Sequence, residues 1–161
     1  MTLLKPGDKF PSLSVEVAGG GTLQLPDALS GRNGVVLFYR GSWCPYCNAQ
    51  LRAFERAHDS LAEVDAAVVA LSVDDEATAL TLIDKHRLRF PIGHSADAYA
   101  IAAATGAFVN EERGHLESTG FVLDQTGAVV VSVYSSSAIG RLVPEDVVGL
   151  LRYRREHAGR L

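Results

Sequence analysis

Residues 35–47 read Val-Val-Leu-Phe-Tyr-Arg-Gly-Ser-Trp-Cys-Pro-Tyr-Cys, an apolar run followed after four residues by a Cys-x-x-Cys pair. The run Val35–Tyr39 is rich in β-branched and aromatic residues, which predicts a central strand buried on both faces. A helical pattern begins after the first cysteine. Cys44 is therefore expected at a strand-to-helix turn, where a thiol is more often reactive than structural.

The helix after this turn is predicted from apolar residues spaced four, three, four and three apart. They share one helix face and are Cys47, Leu51, Phe54, His58 and Leu61. The N-terminus of such a helix points at the first sulfur. Its unpaired N–H groups and its dipole favour a negative charge there, and Pro45 suits the first turn.

A thiolate at Cys44 would make the pair reactive. An ordinary thiol with a pKa of about 8.5 is only about 3% ionised at neutral pH, whereas a pKa of about 6.5 makes it about three quarters thiolate. Cys47 lies one turn further along the helix, close enough to attack a bond formed at Cys44. The pair can thus cycle between dithiol and disulfide.

Three other interpretations of the two cysteines compete with this one. A structural disulfide across so small a loop would stabilise the fold by about 2 kcal/mol at most. A zinc site would need two more ligands at regular spacing, and the five histidines are scattered. Two inert buried thiols are the third alternative, but Cys44 follows the end of the strand, where we expect it to be accessible.

The rest of the chain alternates strand and helix patterns around this centre. The segments are a hairpin over 13–25, a strand over 66–73, a helix over about 74–87, a short strand or loop over 89–92, a helix over 97–104, a loop over 110–119, a hairpin over 120–134 and a last helix opened by Pro144. The helix that ends at about Arg87 is expected to be capped by Asp74 or Asp75 and to carry Leu80, Ile83 and Arg87 on one side. A right-handed strand–helix–strand crossover from Val35 to Val73 gives a parallel pair, and the late hairpin adds antiparallel strands. The pattern predicts an α/β domain with a mixed sheet, helices on both faces and an N-terminal β-hairpin.

Composition and charge exclude several classes of function. The chain has 161 residues, which fits a single domain over 1–161, and its net charge of −4 comes without a basic block that would bind nucleic acid. The start, Met1–Gly7, lacks the apolar core of a signal peptide, and the longest apolar run, Ala66–Leu71, is too short to span a bilayer. One redox pair of cysteines favours a cytoplasmic protein with no membrane contact, metal or cofactor.

The run from Phe38 to Cys47 resembles the active site of the thioredoxin superfamily. More narrowly, the chain resembles the alkyl hydroperoxide reductase/thiol-specific antioxidant (AhpC/TSA, peroxiredoxin-like) family. Four further segments carry this resemblance, and they are Lys5–Pro11, Ala70–Asp74, Leu88–Ile92 and Gly120–Gly127. The resemblance implies a thioredoxin-like three-layer sandwich over nearly the whole chain.

The same resemblance implies a function and its residues. Cys44 is then the attacking (peroxidatic) cysteine, which a hydroperoxide converts to a sulfenic acid. Cys47 is the resolving cysteine, which condenses with it to a disulfide. A thioredoxin-type or low-molecular-weight thiol would recycle the enzyme, which is antioxidant in effect, and the family often forms homodimers.

The chain departs from the family pattern at the accessory groups. Leu37 and Gly41 stand where the family has its Pro and Thr, and Ser118 or Thr119 stands where the family has its catalytic Arg. Arg40 or Arg113 is a candidate to replace that cation. On the thioredoxin side, Phe38 stands at the position of the buried Asp, and the cis-proline before the late strand is missing.

Five residues are expected to support the two cysteines. Arg40 can hold a thiolate or a peroxide oxygen, Ser42 and Tyr46 border the thiols as hydroxyl donors, Trp43 contacts partners in thioredoxin-like sites, and Thr119 lies at the family's Arg position. His94 and His115, in predicted loops, are candidate proton carriers.

Three functions are compatible with this pattern. The first is reduction of hydroperoxides. The second is protein-disulfide oxidoreduction through the same cysteines, with a disulfide as substrate and no useful peroxidase activity. The third is a non-enzymatic sensor whose pair reports redox state without turnover.

Overall fold

The computed structural model describes residues 2–157, which form strands and helices in alternation. In chain order the elements are β1 (Leu13–Val17), β2 (Thr22–Leu25), β3 (Asn33–Phe38), α1 (Pro45–Arg56), α2 (His58–Glu63), β4 (Ala66–Leu71), α3 (Glu76–His86), β5 (Ile92–His94), α4 (Ala98–Thr105), β6 (Val109–Asn110), β7 (His115–Leu116), β8 (Thr119–Leu123), β9 (Val129–Tyr134) and α5 (Pro144–Glu156). The strand–helix alternation matches the order predicted from the pattern.

Seven strands form one mixed sheet in the order β2-β1-β5-β4-β3-β8-β9. The central strands β3, β4 and β5 are parallel, while β8 and β9 continue the sheet antiparallel on one side and β1 and β2 on the other. Phe38, at the end of β3, is paired with Leu71 on one side and Thr119 on the other. The predicted mixed sheet with an N-terminal hairpin is confirmed.

The central strand β3 sends alternate side chains to two separate cores. Val35 and Leu37 pack with apolar residues of α1, α3 and α5, whereas Val36 and Phe38 pack with Phe121 and with residues of α4 and the N-terminal segment. Every residue of β3 from Gly34 to Phe38 is buried, as a strand covered on both faces requires. Helices therefore lie on both faces of the sheet, as predicted.

The helix after the cysteines is shorter than predicted. It ends at Arg56, and α2 starts again at His58 after Ala57, whose φ of −88° and ψ of 11° leave the helical range. This break rotates the side chains of α2 relative to those of α1. Leu61 is therefore buried, while His58 is exposed beside Asp59. The placement of His58 on the inner face was wrong.

The helix α3 begins at one of the two predicted capping residues. Asp75 caps this helix by accepting a hydrogen bond from the Thr78 N–H at 2.8 Å. Its buried residues are Ala79 and Leu82, while Leu80 is 43% exposed. Ile83, predicted on the same side as Leu80, is partly buried and packs against the core, so that side of the helix is only partly covered.

The segment over 110–119 is more ordered than the predicted loop. Val109 pairs with Leu116 and Asn110 with His115 in a two-residue ladder, which buries His115 and Leu116. Strands this short carry no readable alternation in the sequence. The loop prediction was wrong here, and the hairpin it missed carries His115 towards the cysteines.

Candidate active site

The two cysteines lie where the central strand turns into the first helix. Cys44 is the N-cap of α1, Pro45 follows it at the first helical position, and the Cys44 sulfur accepts the Cys47 N–H at 3.3 Å. Both thiols are free and fully buried, so the expectation that Cys44 would be accessible at the end of the strand was wrong. An N-terminal N–H and the helix dipole therefore act directly on the Cys44 sulfur.

Arg40 approaches both sulfurs from the loop after β3. Its Nη1 lies 3.8 Å from the Cys44 sulfur, and its backbone N–H donates to the Cys47 sulfur at 3.3 Å. Its Nε donates to Glu117 Oε1 at 2.7 Å, which fixes the guanidinium in the site. The structure thus brings the Arg40 guanidinium to the Cys44 sulfur, and its supporting role stays a prediction.

Arg141 is a second cation at the thiols, and the sequence analysis missed it. Its Nη2 lies 3.3 Å from the Cys47 sulfur and 3.8 Å from the Cys44 sulfur. It comes from the segment between β9 and α5, 97 positions after Cys44, and no motif or spacing marks it. Only the fold, which returns this segment to the start of α1, brings it to the site.

The surroundings shift the pKa values of the two thiols in opposite directions. Burial raises the pKa of Cys44, but hydrogen bonds with Cys47 and Arg40 and the charge of Arg141 outweigh burial, so its pKa lies below that of an ordinary cysteine. Burial and the hydrogen bond with Cys44 raise the pKa of Cys47 to about 11 despite Arg141. Cys44 is thus the better thiolate in the reduced protein.

Glu117 is a buried carboxylate that links the site to the β6–β7 hairpin. Its Oε1 accepts from Arg40 and lies 3.3 Å from His115 Nε2. Burial lowers the pKa of His115, and Arg40 and Arg113 act in the same direction while Glu117 opposes them. A buried Glu two residues after a buried His is not recognisable as a site from sequence alone. His94, by contrast, is the last residue of β5 instead of a loop residue as predicted, and it lies beside Ser95 and Glu76.

Trp43 covers this network on its outer side. The residue is 45% exposed, its ring meets the His115 ring edge to face at 5.0 Å, and the guanidinium groups of Arg40 and Arg113 lie over the ring at 5.0 and 4.5 Å. Arg113 therefore binds the tryptophan face instead of replacing the family's cation at the sulfurs. Contact of Trp43 with a partner stays a prediction.

The other residues predicted to support the cysteines, Ser42, Tyr46 and Thr119, lie in three different surroundings. Ser42 fixes the loop through its backbone, because its N–H donates to Asp74 Oδ2 at 2.8 Å and its carbonyl accepts from Asn48. Tyr46 is 53% exposed and lines a groove of about 320 Å³ between α1 and residues 139–144. The buried Thr119 hydroxyl donates to the Glu117 carbonyl at 3.0 Å.

Gly41 is required by the position of Trp43. A Cβ at residue 41 would lie 2.2 Å from Trp43 Nε1, so Gly41→Ala is expected to push the indole away from His115. Loss of that ring contact should lower the free energy of unfolding by about 1 kcal/mol and shift the emission of Trp43, the only tryptophan. Urea denaturation followed by fluorescence measures both.

The matched control for this substitution is Gly149→Ala on α5. Nothing lies within 4 Å of a Cβ at that position, and alanine is the better helix former there by about 1 kcal/mol. We therefore expect Gly149→Ala to keep the native emission and to be at least as stable as the parent. Equal emission and stability for the two variants would contradict the assigned role of Gly41.

A thioredoxin-like sheet with a dithiol at the N-terminus of the helix after its central strand defines a thiol-dependent oxidoreductase. The sequence model of the AhpC/TSA family matches residues 6–132, and the chain belongs to that family. A putative peroxiredoxin of Mycobacterium tuberculosis is 32% identical over 150 residues, covering 88% of this chain and 92% of the relative. A peroxiredoxin of Methanothermobacter thermautotrophicus is 27% identical over 154 residues, covering 92% and 72%.

Solved structures agree with the fold. Peroxidoxin BcpB from Mycobacterium tuberculosis has a TM-score of 0.81 at 22% identity, covering 93% of this chain and 97% of that one. Mycobacterium bovis AhpC has a TM-score of 0.83 at 20% identity, covering 98% and 96%. The predicted family, fold class and enzyme class, a peroxiredoxin-like thiol peroxidase, are thereby confirmed. Within residues 2–157, no helix combines the length and the apolar character that crossing a bilayer requires.

Proposed function

We propose that the protein reduces hydroperoxides, with Cys44 as the attacking cysteine and Cys47 as the resolving one. The observation that carries this proposal is the convergence of a helix N-terminus, Arg40 and Arg141 on the Cys44 sulfur, which lowers its pKa. An anion at this sulfur is the nucleophile that peroxide cleavage needs. The peroxiredoxin relatives support the same substrate class.

The first step forms a sulfur–oxygen bond. The Cys44 thiolate attacks the outer oxygen of the hydroperoxide, the O–O bond breaks, and the departing alkoxide or hydroxide takes a proton to become an alcohol or water. The electron pair of the S–O bond comes from sulfur, so Cys44 becomes a sulfenic acid. Arg40 and Arg141 can also bind the oxygens on which negative charge develops.

The burial of Cys44 favours a small substrate over a protein disulfide. With the residue fully buried, a hydroperoxide group has to enter between the side chains around the sulfur. A disulfide on a folded protein would first have to displace those side chains. The disulfide-reductase and sensor alternatives consequently gain no support from the site or from the relatives.

The experiment is a stopped-flow reaction of the reduced protein with hydrogen peroxide and with an organic hydroperoxide. Trp43 adjoins Cys44 and reports its oxidation through fluorescence. We expect oxidation far faster than that of N-acetylcysteine in the same buffer. A rate no greater than that of this ordinary thiol contradicts the proposal, and rapid reduction of insulin disulfides by the same sample would favour the alternative enzyme.

The rate of this first phase should depend on pH in a way that the site predicts. As the pH falls, Cys44 binds a proton and loses its nucleophilicity; because the site lowers its pKa, that loss should occur at a more acidic pH than for an ordinary thiol. The second-order rate constant is therefore expected to fall with decreasing pH at a midpoint more acidic than that of N-acetylcysteine. A profile that follows N-acetylcysteine would contradict a stabilised thiolate.

The remaining features of the proposal concern the cellular setting. We propose a thioredoxin-type or low-molecular-weight thiol as reductant, a cytoplasmic location and a single domain over residues 1–161. A homodimer is also compatible with the family's habit of dimerising. Each of these follows from the sequence. Reconstitution with candidate thiols would test the reductant, and measurement of the mass in solution would test the homodimer.

A further inference from the structure

Arg141 contacts both reacting sulfurs with a single nitrogen. Its Nη2 lies 3.8 Å from Cys44 Sγ and 3.3 Å from Cys47 Sγ. Both distances suit hydrogen bonds to sulfur from a charged donor. With both cysteines as free thiols, this guanidinium reaches the two sulfurs at once.

The guanidinium is held by neutral groups on both sides. Its Nε and Nη2 donate to the Ala138 carbonyl at 3.2 and 2.7 Å, and its Nη1 donates to Gln50 Oε1 at 3.2 Å. The Gln50 amide in turn donates to the Leu142 carbonyl at 2.9 Å. Since Gln50 lies on α1, one turn after Cys47, the helix that carries the resolving thiol also fixes the cation beside it.

The segment that presents Arg141 is folded by its own residues. The Ser135 hydroxyl bonds to the carbonyls of Ser137 and Ile139, and the Ser137 N–H donates back to it at 3.2 Å. Gly140, just before Arg141, has a φ of +87°, which a residue with a side chain rarely adopts. Arg141 is therefore aimed at the thiols before any substrate arrives.

Arg40 differs from Arg141 in having a carboxylate partner and in contacting only one of the two sulfurs with its side chain. Its guanidinium is paired with the buried Glu117 carboxylate, and of the two sulfurs it contacts only that of Cys44. Within residues 2–157, no carboxylate lies within ion-pair distance of the Arg141 guanidinium. The positive charge of Arg141 is thus directed mainly at the two sulfurs.

Resting on the proposed function, we propose that Arg141 is a catalytic residue that serves the two cysteines in turn. It stabilises the Cys44 thiolate during the attack on the hydroperoxide and then the Cys47 thiolate during the attack on the Cys44 sulfenic acid. Arg40 assists only the first of these steps through its side chain.

The second step is balanced by the loss of water. Cys47 gives up its proton, its sulfur attacks the Cys44 sulfur, the S–S bond forms and the S–O bond breaks. The departing hydroxide takes up the proton, so a thiol and a sulfenic acid yield a disulfide and water. Cys47 holds its proton firmly in the reduced protein, with a pKa of about 11, so a cation at its sulfur assists the step that needs its thiolate.

The test separates the two steps in a single turnover with excess hydrogen peroxide. The first phase of Trp43 fluorescence depends on peroxide concentration, and the second, disulfide formation, does not. We expect Arg141→Met to slow both phases by about 10-fold or more, because hydrogen bonds to charged groups are the strong ones. The double variant Arg40→Met, Glu117→Leu, which leaves no buried carboxylate unpaired, should slow the first phase and leave the second within about twofold.

A pH profile of the second phase gives a readout that a merely structural role would not move. In Arg141→Met its midpoint is expected at higher pH than in the parent protein, and in the double variant Arg40→Met, Glu117→Leu it should be unchanged. Arg152→Met is the control for loss of an arginine, because Arg152 pairs with Glu63 on the protein surface, and both phases should keep their rates. Arg141→Gln retains a donor for the Ala138 carbonyl and serves the same test if Arg141→Met does not fold.

The possible outcomes are distinct. Slowing of only one phase by loss of Arg141, or of neither, overturns the proposal that it serves both cysteines. A parent protein with no peroxide-dependent phase at all overturns the proposed function itself, and this inference with it. Slowing of both phases with a shifted second-phase midpoint supports it.

Discussion

Replacing Cys44 with serine is expected to abolish hydroperoxide reduction, with a loss of at least about 1,000-fold in turnover. A serine hydroxyl does not ionise near neutral pH, so the helix N-terminus, Arg40 and Arg141 would surround a group that carries no charge. The substitution changes one buried atom and supplies a hydroxyl oxygen that can replace the sulfur as the N-cap acceptor, so the fold should persist. Peroxide consumption with dithiothreitol as reductant measures the loss.

Cys47→Ser is the matched control for that experiment. It leaves the Cys44 sulfur in contact with both arginines, so one rapid attack on peroxide should remain. The reaction should then stop at the Cys44 sulfenic acid, which a dimedone-type reagent traps, because no other cysteine exists in the chain. Sustained activity of Cys44→Ser would contradict the role of Cys44, and normal disulfide-linked turnover of Cys47→Ser would contradict the role of Cys47.

Replacing Glu117 with alanine should destabilise the protein by about 3–5 kcal/mol, the cost of leaving one member of a buried ion pair alone. The side chains of Arg40 and Glu117 are only 13% and 7% exposed, and their atoms approach to 2.7 Å. Without Glu117, the Arg40 guanidinium would keep its charge in a buried site beside His115. Guanidinium chloride denaturation, followed by circular dichroism, measures the change in the free energy of unfolding.

Two further variants separate burial from pairing. Glu63→Ala removes the carboxylate of an exposed ion pair with Arg152, and we expect it to cost no more than about 1 kcal/mol. The double variant Arg40→Met, Glu117→Leu removes both buried charges and should be more stable than Glu117→Ala alone. If Glu117→Ala costs as little as Glu63→Ala, or if the double variant is the least stable of the three, the buried pair does not have the stabilising role assigned to it.

Local patterns in the sequence predicted the core of the fold well. The continuous apolar run before Cys44 became β3, the strand paired on both sides at the centre of the sheet. Short-range signals also held, because Asp75 caps α3 and Pro144 opens α5 at its first position. Such signals depend only on residues that are close together in the chain, so they can be recognised in the sequence. The spacing on α3 does not by itself indicate which residues are buried, because its apolar residues surround the helix and only packing selects Ala79 and Leu82.

The site was predictable only where its residues are consecutive. Arg40, Trp43, Cys44 and Cys47 lie within eight positions, and the structure brings Arg40 to the sulfurs. Glu117 and Arg141 reach the same site from 77 and 94 or more positions away. Their approach depends on the pairing of β8 with β3 and on the folding of the segment after β9. No periodicity or spacing contains that information, so the position of the family's arginine, at Ser118 or Thr119, gave no guide to Arg141.

The most direct test of the account is the mass of the protein after one equivalent of hydrogen peroxide. Trypsin releases residues 41–52 as one peptide that contains both cysteines. After a few seconds of reaction, we predict that this peptide has lost the mass of two hydrogens, resists alkylation, and regains both thiols with dithiothreitol. A peptide that alkylates fully at both cysteines while the peroxide persists, or that gains oxygen without forming the Cys44–Cys47 bond, would contradict the assignment of an attacking and a resolving cysteine.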